Sequence, residues 1–375
     1  FLGTSAKGRE SLQSQNVKRV DVMPEVPFRF PEIEVSGSSR EMGRQLGEAA
    51  REKIRGFVSS ALERVNLTIA ITRDRAYQIA RDSLVHAHSY SAEMVDELTG
   101  VAEAAGVSLE DLMLLQVRNQ FTVESDAGCT SFAATQGKMS TPFVAQNWDN
   151  DPALDPYTVV LTRRPKGKPA LINVTQVGLI AYIGLNEHGI GACLNTLPAP
   201  SRPTGVPHYF TLRGIFEAST LDGAIDAVRR AERAVPANIL LTTPQGPADL
   251  EVTIDEVYVL REDQRGHVTH TNHCVHDELV TINEQFDELI ESGPRKARID
   301  QQLLALQRPV TVEDAQKLLA DHEGFPRSIC RHPNDHPQHG FWETVLSVVI
   351  APASRTMHIA RGTPCCRPFE TYRLN

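Results

Sequence analysis

The sequence predicts an α+β chain, and two observations carry that expectation. From Ser39 onward apolar residues recur at three and four, the period of an amphipathic helix. Beyond Cys129 the period falls to two, in many short runs separated by turn residues, as large antiparallel sheets require. Periodicity alone therefore gives a helical front and a strand-rich C-terminal two-thirds.

The elements follow in order. FLGTSAKGRESLQSQNVKRV lacks the apolar core of a signal peptide, so residues 4 to 18 are expected to be a loose polar arm. Met42, Leu46, Ala49, Ala50, Ile54, Phe57, Val58 and Ala61 form one apolar helix face. Further helices are expected from about Arg73 to Tyr90 and Ala92 to Ala105, and after Ser108, whose hydroxyl can cap the next turn. His86 and His88 read as surface or packing residues. Strands are predicted at 143–148, 157–163, 170–175, 179–184, 190–195, 238–243, 249–254, 256–261, 267–271, 344–350 and 356–361. Helices interrupt them at 211–218, at 222–233, at 279–306 with a break near Gly293-Pro294, and at 312–321 after Thr311. The proline-rich stretch Leu197 to Pro207 reads as a loop bordering a pocket, with a plain surface connection as the alternative.

Composition narrows the class. With 375 residues, 41% hydrophobic and 23% charged, the chain can bury a large core. A net charge of −9 without a basic stripe excludes a nucleic-acid partner. No stretch reaches membrane-spanning length, so a soluble, cytoplasmic protein without a membrane partner is expected. Cysteines 129, 193, 274, 330, 365 and 366 have no CxxC spacing, consistent with a reducing compartment.

The chemistry centres on DAGCTSFAATQGKMSTPFVAQNWDN, residues 126 to 150, where a turn through Gly137 joins Cys129 to a strand ending in an acid, Asp149. A thiol attacks a carbonyl only as thiolate or beside a base, yet the next histidine after Cys129 is His188. A terminal cysteine would supply its own base, because an α-amine titrates at roughly 7.7–8.0. Gly128 suits cutting at that point, since it presents no side chain to an attacking thiol. Self-cleavage between Gly128 and Cys129 is therefore expected. The competing reading of Cys129 is a small buried hydrophobe.

GCTSFAA together with QNWD resembles the isopenicillin N acyltransferase (acyl-coenzyme A:6-aminopenicillanic acid acyltransferase) family of cysteine N-terminal nucleophile (Ntn) hydrolases. That family is distantly related to bile-salt hydrolases and penicillin V acylases. SGSSREMGRQLGEAAREKI at 36 to 54, GLNEHGIGACLN at 184 to 195, HTNHC at 270 to 274 and TVLSVVI at 344 to 350 extend the likeness. The resemblance implies a four-layer αββα Ntn-hydrolase sandwich in one structural domain. A mainly helical segment, 1–128, would be released as a fragment from the catalytic segment, 129–375. It further implies Cys129 as nucleophile, Asp149 as the acid orienting the amine, Asn195 as oxyanion donor and Asn272 as the second asparagine. Asn186 competes with Asn195 but reads as the tight turn of a hairpin. Where bile-salt hydrolases carry an arginine before the NWD-like motif this chain has Gln146. Near the late strand it has Phe341-Trp342-Glu343-Thr344, so a less cationic pocket is expected.

The expected protein is an autoprocessed zymogen whose mature form cleaves a linear amide of a small N-acylated substrate through an acyl-thioester. Three alternatives accompany this reading. The acyl group could pass to an amine acceptor instead of water; His270 or His273 could act as base in a Cys-His hydrolase without self-cleavage; or the fold could serve a non-enzymatic binding protein. Expected partners are the small amide and the chain's own cleaved fragment, with homo-oligomerisation left open. No cofactor and no metal are expected: His322, Cys330, His332, His336 and His339 cluster in sequence, but their spacing fits no standard zinc pattern. The sequons Asn66-Leu67-Thr68 and Asn173-Val174-Thr175 carry no meaning without a secretory leader.

Overall fold

The computed structural model describes residues 26–121, 128–135 and 142–375. The expected arm at 4–18 and the turn through Gly137 lie outside them. The helical front begins with a strand the periodicity does not reveal, β1 (Glu32–Gly37), because only Val35 of its six residues is buried. Ser38 then caps α1 (Ser39–Ala49) in a reciprocal box with Glu41. The long helix expected here is two: Ala50, at φ −119° and ψ 19°, breaks it before α2 (Arg51–Val65). Next come α3 (Arg73–Tyr90), α4 (Ala92–Ala105) and α5 (Leu109–Gln116), capped by Thr72, Ser91 and Ser108. Helices α1 and α4 cross with their backbones in contact: a Cβ at Gly43 or Gly100 would collide with the carbonyl oxygen of Glu97 or Arg40.

The strands form two sheets. One runs in the order β1, β4 (Thr158–Pro165), β5 (Leu171–Gln176), β6 (Ile183–Asn186), β7 (Gly191–Thr196), β8 (Ala237–Thr243), β9 (Gly246–Val252), β10 (Val257–Leu260). The other runs β11 (His267–His270), β2 (Gly128–Ala134), β3 (Phe143–Asn150), β12 (Glu343–Ala351), β13 (Thr356–Arg361), β14 (Glu370–Arg373). Among the described strands, β1 alone pairs in parallel, with β4. Strands β2 and β3 lie against β7 and β8, so the sheets stack face to face. Outside the first sheet lie α1 on β1 and β4, and α6 (His208–Phe216) on β6 and β7. Next to α6 packs α7 (Leu221–Arg229). Outside the second, α8 (Ser292–Ala305) covers β11 and β2, and α9 (Val312–Leu319) covers β3 and β12. The result is the four-layer αββα arrangement, with apolar cores between the sheets and under each helical layer.

One buried ionic knot ties the helical front to the first sheet. The Glu97 carboxylate of α4 accepts from Arg163 of β4 at 2.6 Å and Arg213 of α6 at 3.0 Å, all three side chains fully buried. Burial alone would raise the Glu97 pKa, but the two guanidinium groups outweigh it and hold it below the ordinary carboxylate range. Replacing one member of such a group leaves an uncompensated buried charge. Glu97→Gln is therefore expected to cost about 3–5 kcal/mol in urea unfolding; a loss under about 1 kcal/mol would mean that the arginines find solvent instead.

Candidate active site

The site is built by the first turn of ladder between β2 and β3. Antiparallel register sets Gly128 opposite Asp149 and Cys129 opposite Trp148. Side chains alternate across a strand, so Cys129, Ser131, Gln146 and Trp148 face the first sheet, while Thr130, Asn147 and Asp149 face the layer of α8 and α9. Gly128 leaves no room for a side chain: a Cβ would sit 3.1 Å from Asp149 Oδ2 and 3.2 Å from Ile290.

Around the backbone of Cys129 three polar groups converge. Its N–H donates to Asn272 Oδ1 at 2.8 Å. Its carbonyl accepts from the Arg295 guanidinium, which also donates to Thr130 Oγ1 at 3.0 Å and to Asn272 Oδ1 at 2.8 Å. Asn272 is fixed in turn, its Nδ2 donating to Thr196 O at 2.9 Å and its N–H to Ser292 Oγ at 2.7 Å. The amide nitrogen of Cys129 thus points at a carbonyl oxygen that is itself polarised by a buried cation.

The thiol is 1% exposed. Burial pushes its pKa well up and the Asp149 charge adds to this; Arg295 and the backbone N–H groups of Asp149 and Thr196, which favour the thiolate, offset part of it. Asp149 is also fully buried, and burial raises its pKa against the pull of Arg295, Thr344 and Arg331. Its Oδ1 accepts from Thr344 Oγ1 at 2.7 Å, whereas Oδ2 has no hydrogen-bond partner. That free acceptor is the atom facing Gly128.

The structure brings Gly128, Cys129, Asp149 and Asn272 together. Asn195 joins them only at one remove. Both hydrogens of its Nδ2 are used, on Ser131 Oγ at 2.6 Å and Asn238 Oδ1 at 2.7 Å, and its Oδ1 accepts from Gln146 at 2.7 Å. Asn186 occupies the expected turn, where its Oδ1 accepts from the backbone of His188 and Ile190. Neither rival histidine is bonded to the thiol. His270 Nε2 meets Glu251 Oε1 at 2.8 Å, and His273 Nδ1 meets Ser292 Oγ at 2.7 Å.

Two buried arginines that the sequence did not single out, Arg295 and Arg331, each 1% exposed, stand behind the strands of the site. Arg295 follows the Gly293-Pro294 break flagged in the sequence, at the opening of α8, and that break was the available signal. Arg331 donates to Glu291 at 3.1 Å and its backbone N–H to Thr344 Oγ1 at 2.9 Å, supporting Asp149 from behind.

A narrow cleft, with an enclosed volume of about 50 Å³, reaches the thiol's neighbours. Arg64, Arg118, Trp148, Tyr182, Tyr209 and Trp342 line much of it, and so does Thr196. Trp148 packs edge-on to Tyr182 at 5.0 Å between ring centres, and Tyr182 to Tyr209 at 5.4 Å. Aromatic walls with a polar end suit a small acyl group.

Against known proteins, residues 135–365 match the family model for acyl-coenzyme A:6-aminopenicillanic acid acyl-transferase, more than half of the chain. The chain belongs to that family. It is 26% identical over 351 residues, 91% of this chain and 94% of the relative, to the acyl-coenzyme A:6-aminopenicillanic-acid-acyltransferase 40 kDa form of Emericella nidulans. Partial overlaps with solved structures include the Caenorhabditis elegans orthologue of N-acylethanolamine-hydrolyzing acid amidase, at 16% identity and TM-score 0.42 over 60% of this chain and 93% of that one. They also include penicillin V acylase from Agrobacterium tumefaciens, at 13% identity and TM-score 0.42 over 62% and 83%. As a member of the acyl-transferase family the chain is an enzyme of acyl-group chemistry.

The buried His270–Glu251 pair gives the site's inter-sheet floor a pH signature. Burial would lower the His270 pKa, but the carboxylates of Asp249 and Glu251 prevail and raise it; Glu251 is lowered, its burial outweighed by His270 and the N–H groups of Val275 and His276. A raised histidine contributes stability that is complete below its unfolded value, roughly 6.5, and is lost as pH rises through the folded value. A lowered glutamate contributes above its unfolded value, roughly 4.3, and loses this as pH falls through the folded one. The melting-temperature gap between wild type and His270→Gln should thus be widest near pH 6, by the same reference values, and narrow on the alkaline side. A gap that stays constant into the alkaline range would show that His270 is neutral in the folded protein.

Proposed function

We propose that this protein is an autoprocessing cysteine amidohydrolase whose nucleophile is Cys129. The observation that carries the reading is the surroundings of the Gly128–Cys129 bond: a buried thiol with no histidine bonded to it, a glycine before it, and a backbone nitrogen already seated on Asn272. Processing would begin with the thiol adding to the Gly128 carbonyl carbon, its proton passing to the Cys129 nitrogen as the C–N bond breaks. The resulting thioester would be hydrolysed by water, leaving a Gly128 carboxylate, a free thiol and a free Cys129 amine.

In the mature enzyme that amine would take the thiol proton and Cys129 Sγ would attack the substrate amide. The backbone N–H groups of Asp149 and Thr196, which favour the thiolate, would be the donors to the oxyanion. Asn195, held by Ser131 and Gln146, would position the strand that carries Thr196. Protonation of the leaving amine by the Cys129 ammonium gives the acyl-thioester, and water returns the acid. Asp149 would orient the ammonium from the outer side through a charge-assisted hydrogen bond. The substrate class this supports is a small N-acyl amide with its acyl part among Trp148, Tyr182 and Tyr209. Released residues 1–128 would stay attached, since β1 pairs with β4 and Glu97 with Arg163 and Arg213.

A second reading, transfer of the acyl group to an amine, is favoured by the transferase name of the Emericella relative. It shares every step but the last, and a trapped amide product formed at the expense of free acid would select it.

Intact mass under denaturing conditions tests the proposal. Wild type should give two fragments divided between Gly128 and Cys129, and Cys129→Ala a single full-length chain without amidase activity. A full-length wild type that hydrolyses amides would overturn the self-base mechanism. Arg295→Met should slow fragment formation at least tenfold, read by the same mass measurement over time; unchanged kinetics would remove Arg295 from the machinery.

A further inference from the structure

Of the five candidate metal ligands between His322 and His339, the structure keeps Cys330 and His332 together, with His322 edge-on to His332 at 6.0 Å between ring centres, and adds others the sequence did not suggest. Cys330 and His332 lie in the loop between α9 and β12. Cys365 and Cys366 lie in the turn between β13 and β14. Because β12, β13 and β14 are adjacent in one sheet, these loops meet at the same edge. His336 and His339 go elsewhere, stacked on each other at 5.1 Å between ring centres with His339 against Trp342.

The meeting point has the dimensions of a tetrahedral metal site. His332 Nε2 is 3.6 Å from Cys330 Sγ and 3.3 Å from Cys365 Sγ, and the three ligand atoms all lie within 4.8 Å of one another. Cys366 Sγ is 3.4 Å from Cys365 Sγ. With metal–sulfur bonds of about 2.3 Å and metal–nitrogen bonds of about 2.0 Å, the edges of a zinc tetrahedron come to about 3.5–3.8 Å. Two separations near that edge length around one imidazole nitrogen are not what apolar packing of thiols produces, since the nitrogen is aimed at both sulfurs.

We propose that Cys330, His332 and Cys365 hold a thiophilic divalent cation of the zinc type. Two sulfurs and an imidazole select zinc over magnesium or calcium, which take oxygen. None of the three lines the cleft beside Cys129, so the role of the site is structural. It pins together two loops 35 residues apart in sequence. Arg331 sits between the ligands Cys330 and His332, and its backbone N–H holds Thr344 Oγ1, the donor to Asp149. The cation therefore steadies the outer wall of the nucleophile's site without entering it. The missing sequence signal is plain: the ligands are a C-x-H pair and a cysteine from another loop, and neither is a zinc signal by itself.

The test is titration of cobalt(II) into the reduced full-length protein, with metal content of the purified protein as a second readout. One equivalent should give the intense sulfur-to-cobalt charge-transfer absorption of a thiolate site and the visible bands of tetrahedral cobalt, and zinc should displace both. Cys365→Ser/Cys366→Ser should abolish the absorption. Both residues are at least partly exposed, so the fold should survive, as a circular dichroism melt would verify. Cys274→Ala, which removes a buried thiol outside the cluster, should leave the absorption intact. Absence of charge transfer in the reduced wild type, its persistence in the double variant, or a Cys330–Cys365 disulfide in the freshly purified protein would each overturn the assignment.

Discussion

The grip on the first residues of β2 is the constraint on which the rest of the structure depends. A strand normally begins where its ladder begins, with its leading backbone groups in water. Here the leading nitrogen is bonded to Asn272 and the next carbonyl to Arg295, both buried. Because unpaired buried backbone groups cost free energy, this end of the strand has one position available to it. Pairing with β3 then fixes Asp149 beside Gly128 and Trp148 beside Cys129. Everything functional about the thiol, from the cleft on one side to the carboxylate on the other, follows from the alternation of side chains along these two strands.

The polar residues between the sheets form a chain with few loose ends. Gln146 donates to Asn195, Asn195 to Ser131 and Asn238, and Asn238 to Asp249. The Asp249 carboxyl is pushed up to about 6 by burial, against the opposing pull of His270 and Asn238. Gln146 Oε1 and Asp249 Oδ2 are left without a partner among the described residues, so the network fixes orientation more than it adds stability. Its effect on the site is to hold β7 at a defined height against β2, and so to set Thr196 against the sulfur.

What was legible in the sequence and what was not divide along physical lines. Helices α3 and α4 and strands β7, β12 and β13 could be drawn within a residue, because burial on one side or both writes a period into the apolar residues. Capping by Ser108 and Thr311 could be read because those side chains act on their own neighbours. Strand β1 was missed because an edge strand with one buried residue has no alternation to detect. Within the site, Cys129, Asp149 and Asn272 were visible through chemistry and family likeness. Arg295 and Arg331 were not: an arginine in a helical pattern, like the first, or in a polar loop, like the second, reads as solvent-facing, and its burial depends on partners far away in sequence. The same distance hid Cys365 from Cys330. Asn195 entered as an oxyanion donor through the family likeness, and in the structure its two Nδ2 hydrogens go to Ser131 and Asn238.

The buried charges around Cys129 pull in opposite directions, and their balance explains how one site could serve two successive reactions. In the continuous chain the Cys129 nitrogen is a neutral amide, and the thiol is held in its protonated form by burial and by Asp149. A thiol of that kind is a poor nucleophile toward solvent species but is tethered to its own carbonyl, where proximity compensates for low basicity. Once that bond is cut, as proposed, the nitrogen becomes an amine between two influences. Arg295, bonded to the same Asn272 oxygen, opposes an ammonium at that point; Asp149 favours one. Opposing influences of this kind are what a group needs if it is to take a proton from the thiol and return it to a leaving group. Removing either charge would tilt the amine toward permanent ammonium or permanent amine, so the arginine concealed in α8 and the acid at the end of β3 belong to one device.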